Sequence, residues 1–212
     1  LRGNSGGSLY EANKLIGLFV ASGATLQVKE SNGNVRPWGD ARAKEAWKKP
    51  MAVMVDRYSA SASEIFAGAI QDYQRGIIIG HRTFGKGTVQ KLDDLSSGQI
   101  KITESKFYRI TGSGMQNEGI HPDITLPSTW DIEEIGESSL DAALPWDEIK
   151  PIRFQKFLMR SYLISQLKDA HLERTKHNPN LKYILNIRER YEAQKDKNTV
   201  SLNINNRKKE KK

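Results

Sequence analysis

Cysteine is absent from the 212 residues. That excludes a disulfide framework, a thiol nucleophile and a thiolate metal site, and it is compatible with either redox compartment. No apolar run approaches the roughly 18 residues of a membrane-spanning helix. The start also lacks the basic, apolar and small segments of a signal peptide. The chain opens on Leu1-Arg2-Gly3-Asn4, with neither an initiator Met nor a preceding strand. The expectation is a fragment cut inside a domain, with any targeting segment upstream. Histidine is scarce, with only His81, His121, His171 and His177.

What is present suffices for one core: 37% of the residues are hydrophobic, which at this length predicts one domain and a smaller appendage. The net charge of +8 is placed unevenly. Residues 151–212 carry 16 Lys and Arg against 6 Asp and Glu, whereas residues 1–150 carry 17 against 19. A basic segment of this kind attracts nucleic acid, acidic lipid or an acidic partner; the plainer reading is a solvated helical face and a frayed tail.

Ser8 is placed to cap a helix whose Leu9, Ala12, Leu15, Ile16 and Phe19 follow helical spacing. After Pro50, the run Met51 to Val55 reads as a strand buried on both faces. A second helix fits residues 62–75, with Gly76 ending it, and Ile77 to Ile79 form the next strand. Strand, helix and strand so closely spaced predict a parallel crossover and an α/β core. From Thr88 to Ile110 the pattern is strand-like around a Ser96-Ser97-Gly98 turn. Three regions follow: residues 1–130 as the core, 131–204 as a mostly helical domain, and 205–212 as a polar, disordered basic tail. Helical periodicity marks Phe154 to Leu167, and Leu181 to Tyr191 after the Asn178-Pro179 start signal. The aromatics Phe154, Phe157, Tyr162, Tyr183 and Tyr191 are expected to pack inward, which argues against nucleic-acid binding.

Two constellations carry chemistry. Ser59-Ala60-Ser61-Ala62-Ser63-Glu64 lies between a strand and a helix start, where unpaired backbone N–H groups favour an anion and can hold the oxyanion of acyl transfer. The plainer role is a serine-rich helix cap. Thr83-Phe84-Gly85-Lys86-Gly87-Thr88 sets a lysine between two glycines directly after a strand. A lysine acts as a base near neutral pH only where burial disfavours its ammonium form, and it then needs no histidine. Two rival readings use the same stretch. Gly80 to Lys86 matches the first seven positions of a phosphate-binding loop, but Gly87 stands where Ser or Thr must hold magnesium, and Thr88-Val89-Gln90 favours strand over helix. A Ser-His-Asp triad would take His81 as base and Asp72 as its orienter.

Taken together, Leu1-Arg2-Gly3-Asn4-Ser5-Gly6-Gly7, SASASE at 59–64 and TFGKGTVQ at 83–90 closely resemble the carboxy-terminal processing peptidases. Asp56-Arg57-Tyr58, the stretch Ala69 to Tyr73 and the segment 138–204 resemble the tail-specific protease branch. The resemblance implies a crotonase-like α/β core followed by a helical domain, a serine endopeptidase with neither metal nor cofactor, and Ser61 as nucleophile with Lys86 as general base. It implies Gln90 as the residue orienting the lysine, Gly7 and Ala62 as oxyanion donors, and Asp72 as an acidic residue with a catalytic or structural part. It further implies a substrate-capturing PDZ domain outside this chain, protein substrates with apolar C-termini and a periplasmic location in Gram-negative bacteria. A catalytically silent adaptor of the same fold is the alternative, and peripheral membrane association through the basic helices is compatible with either.

Overall fold

The computed structural model describes residues 1–39, 44–131, 133–157, 161–195, 197 and 199–210. The Ser8 hydroxyl accepts from the Glu11 N–H at 3.3 Å and opens α1 (Leu9–Gly17), whose Ala12 and Ile16 are buried. A hairpin of β1 (Ala24–Glu30) and β2 (Val35–Gly39) follows. Then come β3 (Ala52–Val55), α2 (Ala62–Asp72) and β4 (Ile77–Gly80). As expected, β3 and β4 pair in parallel, from Ala52 opposite Ile77 to Val55 opposite Gly80. β5 (Thr88–Asp94) and β6 (Gln99–Tyr108) form a second hairpin, and β7 (Ile124–Thr125) pairs parallel to β4. The result is a mixed α/β core of two sheets, ordered β2-β1-β6-β5 and β3-β4-β7.

The helix α2 is the centre of this core. Its Ile65, Phe66, Ala69 and Ile70 pack with Ile16, Leu26, Ile78, Phe107, Ile110 and Ile120. Each large side chain buried in this way contributes about 1.5–3 kcal/mol. The helix ends earlier than its apolar pattern predicts, and by a different residue. Gln74 takes the left-handed conformation (φ 53°), while Arg75 N–H donates to Ile70 O and Gln74 N–H to Gln71 O, both at 2.9 Å. These are the two bonds of a Schellman cap. Gly76 has another purpose: a Cβ there would lie 2.9 Å from Met51 O.

Three further expectations are corrected. β3 is buried on one face only, because the core packs on one side of it; Val53 and Val55 point inward while Ala52 and Met54 are exposed. Only Phe154 of the five C-terminal aromatics packs on the core, edge-on to Tyr73, whereas Phe157, Tyr162, Tyr183 and Tyr191 are exposed. Of the helix expected over 154–167, residues 154–157 are not helical, 158–160 lie outside the described residues, and α3 (Ser161–His177) begins after them. α4 (Pro179–Lys195) starts as the Asn178-Pro179 signal predicts, Asn178 Oδ1 accepting from Asn180 and Leu181 N–H at 2.9 and 3.2 Å. A fourth expectation also changes: the basic tail, expected to be disordered, is a short helix over Ile204–Glu210, α5, with Arg207, Lys208 and Lys209 in its last turn, where cations suit the helix carbonyl end; residues 211–212 lie outside the described residues. Among the described residues, no helix is long and apolar enough to cross a membrane.

Candidate active site

The turn between β3 and α2 carries Ser61 in a conformation that non-glycine residues rarely adopt, φ 55° and ψ −116°. Such strain persists only where the surroundings hold it. Here the amino-terminal loop does so. Gly3 N–H donates to both oxygens of the Asp56 carboxylate at 3.0 Å, Ala60 N–H to Asn4 O at 3.1 Å, and Ser59 O–H to Leu1 O at 2.8 Å. Gly6 lies so close to the turn that a Cβ would meet Ala60 O at 2.6 Å and Ala62 N at 2.8 Å. Glycine is therefore required at that position, and it brings Gly7 beside Ser61.

Lys86 is positioned by a parallel logic. Gly85 and Gly87 run against the 116–117 backbone, where added Cβ atoms would come within 2.8 Å of Asn117 C and 2.6 Å of Gln116 N. Gly87 N–H donates to Gln116 Oε1 at 2.9 Å, and Asn117 N–H to Gly85 O at 2.8 Å. The glycine-lysine-glycine spacing is thus explained by backbone contact. The strand β5 that follows Lys86, in place of the helix a phosphate loop requires, removes the nucleotide reading.

One residue binds the two loops together. Glu64, fully buried on the first turn of α2, accepts through Oε2 from Ser61 N–H (2.7 Å) and Lys86 N–H (2.9 Å). Through Oε1 it accepts from Gly85 N–H (2.6 Å) and Thr83 O–H (2.5 Å). Burial pushes its carboxyl up to about 7, against the hydrogen bonds from Thr83, Gly85, Ser61 and Lys86 that pull it down. Two donors on each oxygen saturate a carboxylate, so the arrangement fits the ionised form. Sequence reading used Glu64 only as a marker for Ser61. Its signal was an acidic residue beside Ile65 and Phe66 on a helix otherwise apolar on that side. Arg57 was also missed: fully buried, it donates to Thr83 O and Ile135 O, tying the lysine loop to the segment leading out of the core. Burial lowers its guanidinium to about 10.

Ser61, Lys86, Gln90, Gly7 and Ala62 all line one cavity of about 230 Å³, with Leu9, Ile65, Val89 and Phe107 as apolar walls. Ala62 opens α2, so its N–H has no partner within the helix. Asp72 lies elsewhere, near the far end of α2. Arg109 Nε donates to its two oxygens at 3.0 and 3.1 Å, and burial raises its carboxyl despite that cation. His81 lines a separate cavity with Trp130 and Leu181. The pieces of the rival triad are therefore not assembled around Ser61.

Residues 1–126 match the profile described as Peptidase family S41. The chain belongs to this family. Within it, residues 130–212 match the C-terminal domain of tail specific protease (DUF3340). The family member most informative for the whole length is the tail-specific protease of Haemophilus influenzae, 39% identical over 99% of this chain and 32% of its own length. A probable CtpA-like serine protease of Staphylococcus aureus is 39% identical over 59% of this chain and 26% of its own. The solved photosystem II D1 C-terminal processing protease superposes with a TM-score of 0.52 at 34% identity, covering 59% of this chain and 33% of that one. The chain thus spans about a third or less of the length of these S41 relatives.

Proposed function

We propose that this chain is the catalytic part of a serine endopeptidase that works through a Ser61–Lys86 dyad. The observation that carries the reading is the strained Ser61 sharing one cavity with Lys86, Gln90, Gly7 and Ala62. Ser61 Oγ attacks the scissile carbonyl while the amine form of Lys86 takes its proton. The tetrahedral oxyanion receives hydrogen bonds from the Ala62 and Gly7 N–H groups. Collapse breaks the C–N bond, and Lys86 returns the proton to the leaving amine. Water, deprotonated by Lys86, then releases the acyl group and restores Ser61. Gln90, on β5 four residues past the lysine, orients the amine. Asp72 acts at a distance by holding Arg109.

Membership of the S41 family and similarity to a tail-specific protease support protein substrates recognised by apolar C-terminal tails, with a location in the periplasm. Capture of the tail falls to a PDZ domain outside this chain. The test is cleavage of an unfolded protein with an apolar tail by the full-length parent, in the presence of a chelator. Ser61→Ala and Lys86→Ala are expected to abolish cleavage, and His81→Ala to retain it. If both dyad variants cut as well as the parent, the reading is wrong and a silent tail-binding adaptor takes its place.

A further inference from the structure

The Ser61 cavity does not end at its apolar wall. Leu9 and Val89 also line a second cavity of about 480 Å³, which opens onto one face of the β2-β1-β6-β5 sheet. The strand register identifies that face. Trp38 is opposite Leu26, Arg36 opposite Val28, Val28 opposite Phe107, Glu30 opposite Ser105, and Ser105 opposite Val89. Directly opposed residues project to the same side and side chains alternate along each strand. Leu26 and Phe107 on this face are buried in the core, so its open part is the cavity that runs from Val89, beside the Ser61 cavity, past Val28 and Arg36 to Trp38 on the edge strand β2. Trp38 is 37% exposed, with its indole on the cavity.

The scale of this surface suits a polypeptide. Val89 and Trp38 are separated by three strand spacings across the sheet and, since Val89 is level with Glu30 and Trp38 with Leu26, by four residues along it, about 20 Å on the diagonal. An extended chain covers that distance in about six residues. The charges along it are unequal: Arg36 is committed to an ion pair with Glu30, the exposed Glu104 stands at the rim of this cavity within the field of Lys91, and Lys101 lines the adjoining Ser61 cavity.

We propose that this sheet face is an extended substrate subsite. A polypeptide held for cleavage at Ser61 runs over Leu9 and Val89 and packs a large apolar side chain on Trp38, about six residues from the cleaved bond. Glu104 at the rim favours basic over acidic neighbours. This inference rests on the peptidase reading above.

The test uses the full-length parent and quenched-fluorescence peptides: a short one with two residues on each side of the cleaved bond, and versions lengthened by about five residues on one side or the other. Extension on one side, with Leu or Phe as about the sixth residue, is expected to raise kcat/KM by about tenfold or more, as burial of one large side chain allows. Trp38→Ala is expected to remove that gain and leave the short peptide unchanged. Glu104→Lys, an exposed change that spares the fold, is expected to reverse the preference between Lys and Glu beside the anchor. Loss of the length gain in Trp38→Ala and the charge reversal in Glu104→Lys would together support the subsite. A parent that cuts short and long peptides equally, or a Trp38→Ala variant that keeps the whole gain, overturns it while leaving the Ser61–Lys86 reading intact. A parent that cuts no peptide and whose Ser61 resists covalent labelling overturns both.

Discussion

The loops around Ser61 and the helices beyond residue 160 are held by opposite means. Around Ser61 nearly every constraint is a buried polar group with its partners in place: Glu64 with four donors, Arg57 on two carbonyls, and glycines pressed against backbone. α4 has no buried residue among those described; it meets the rest of the protein through half-buried Leu181 and Ile184, which line the cavity of His81 and Trp130, and through ion pairs near its carboxy end. Lys195 pairs with Asp131, Glu133 and Glu134, and Tyr191 O–H donates to Glu134 at 2.6 Å. A buried network is costly to break by one partner, because the remaining groups are stranded away from water. An exposed one yields little when broken. The first kind fixes geometry; the second only tethers.

Glu64→Gln should break the buried side hardest. The amide presents an NH2 group where the carboxylate accepts from two donors, so the Ser61 and Lys86 loops lose their common anchor. A fall in kcat/KM of about 100-fold or more is expected, comparable with losing an oxyanion donor, together with slower covalent labelling of Ser61. Activity within tenfold of the parent would refute the anchoring role. Asp72→Ala comes next. It strands Arg109, whose Nε and terminal nitrogen both donate to Asp72, in a largely buried site. Breaking such a pair costs about 3–5 kcal/mol. Denaturant unfolding should show that loss, and the fraction still folded should keep its kcat. A kcat that collapses while stability is unchanged would move Asp72 into the catalytic machinery.

The contrast also governs what the sequence made legible. The loops of Ser61 and Lys86 stood out because glycines and small residues mark places where backbone must approach backbone, a local signal; the choice of Ser61 among three serines, and the roles expected of Gln90, Gly7 and Ala62, came from the family resemblance, and these residues line one cavity. Glu64 and Arg57 did not stand out, since their partners Thr83, Gly85, Lys86 and Ile135 lie 19 to 78 positions away and no periodicity links them. The parallel β3-α2-β4 unit followed from strand and helix signals within one short stretch. Burial on β3 was misjudged because an apolar run does not say whether a second layer covers its other face. The exposed aromatics of α3 and α4 fit helical spacing as well as buried ones would, and spacing alone does not supply a partner.

Titration offers a smaller effect that sharpens the comparison. The Glu64 carboxyl rises from an unfolded value near 4.5 to about 7 in the fold. The folded state therefore binds more protons between these values. Its contribution to stability is fully present below about 4.5 and is lost as pH rises through about 7. Activity should run the other way, because only the carboxylate accepts from both Ser61 and Lys86. kcat/KM is expected to climb through an apparent pKa near 7 while the melting temperature declines over the same window. Asp72, also raised by burial, adds to the stability slope in the same sense, so the difference between parent and Glu64→Gln isolates Glu64. A Glu64→Gln variant with the parent's slope would mean that another group titrates there.

The smallest effect is expected at Lys195, where the exposed side of the comparison is tested. Its hydrogen bond holds the Asp131 carboxyl below the usual carboxylate range, so the attraction is present at neutral pH. Lys195→Ala should speed amide hydrogen exchange in α4 at low salt and leave α2 unaffected, because local opening of an exposed helix need not unfold the core. Raising the salt to about 1 M shortens the screening length to about 3 Å, and parent and variant should then exchange alike. Faster exchange in α2 as well would show that the helical region supports the loops around Ser61 and Lys86, the reverse of a mere tether; with Arg57 gripping Ile135 O, the path for such support would run through the segment that joins them.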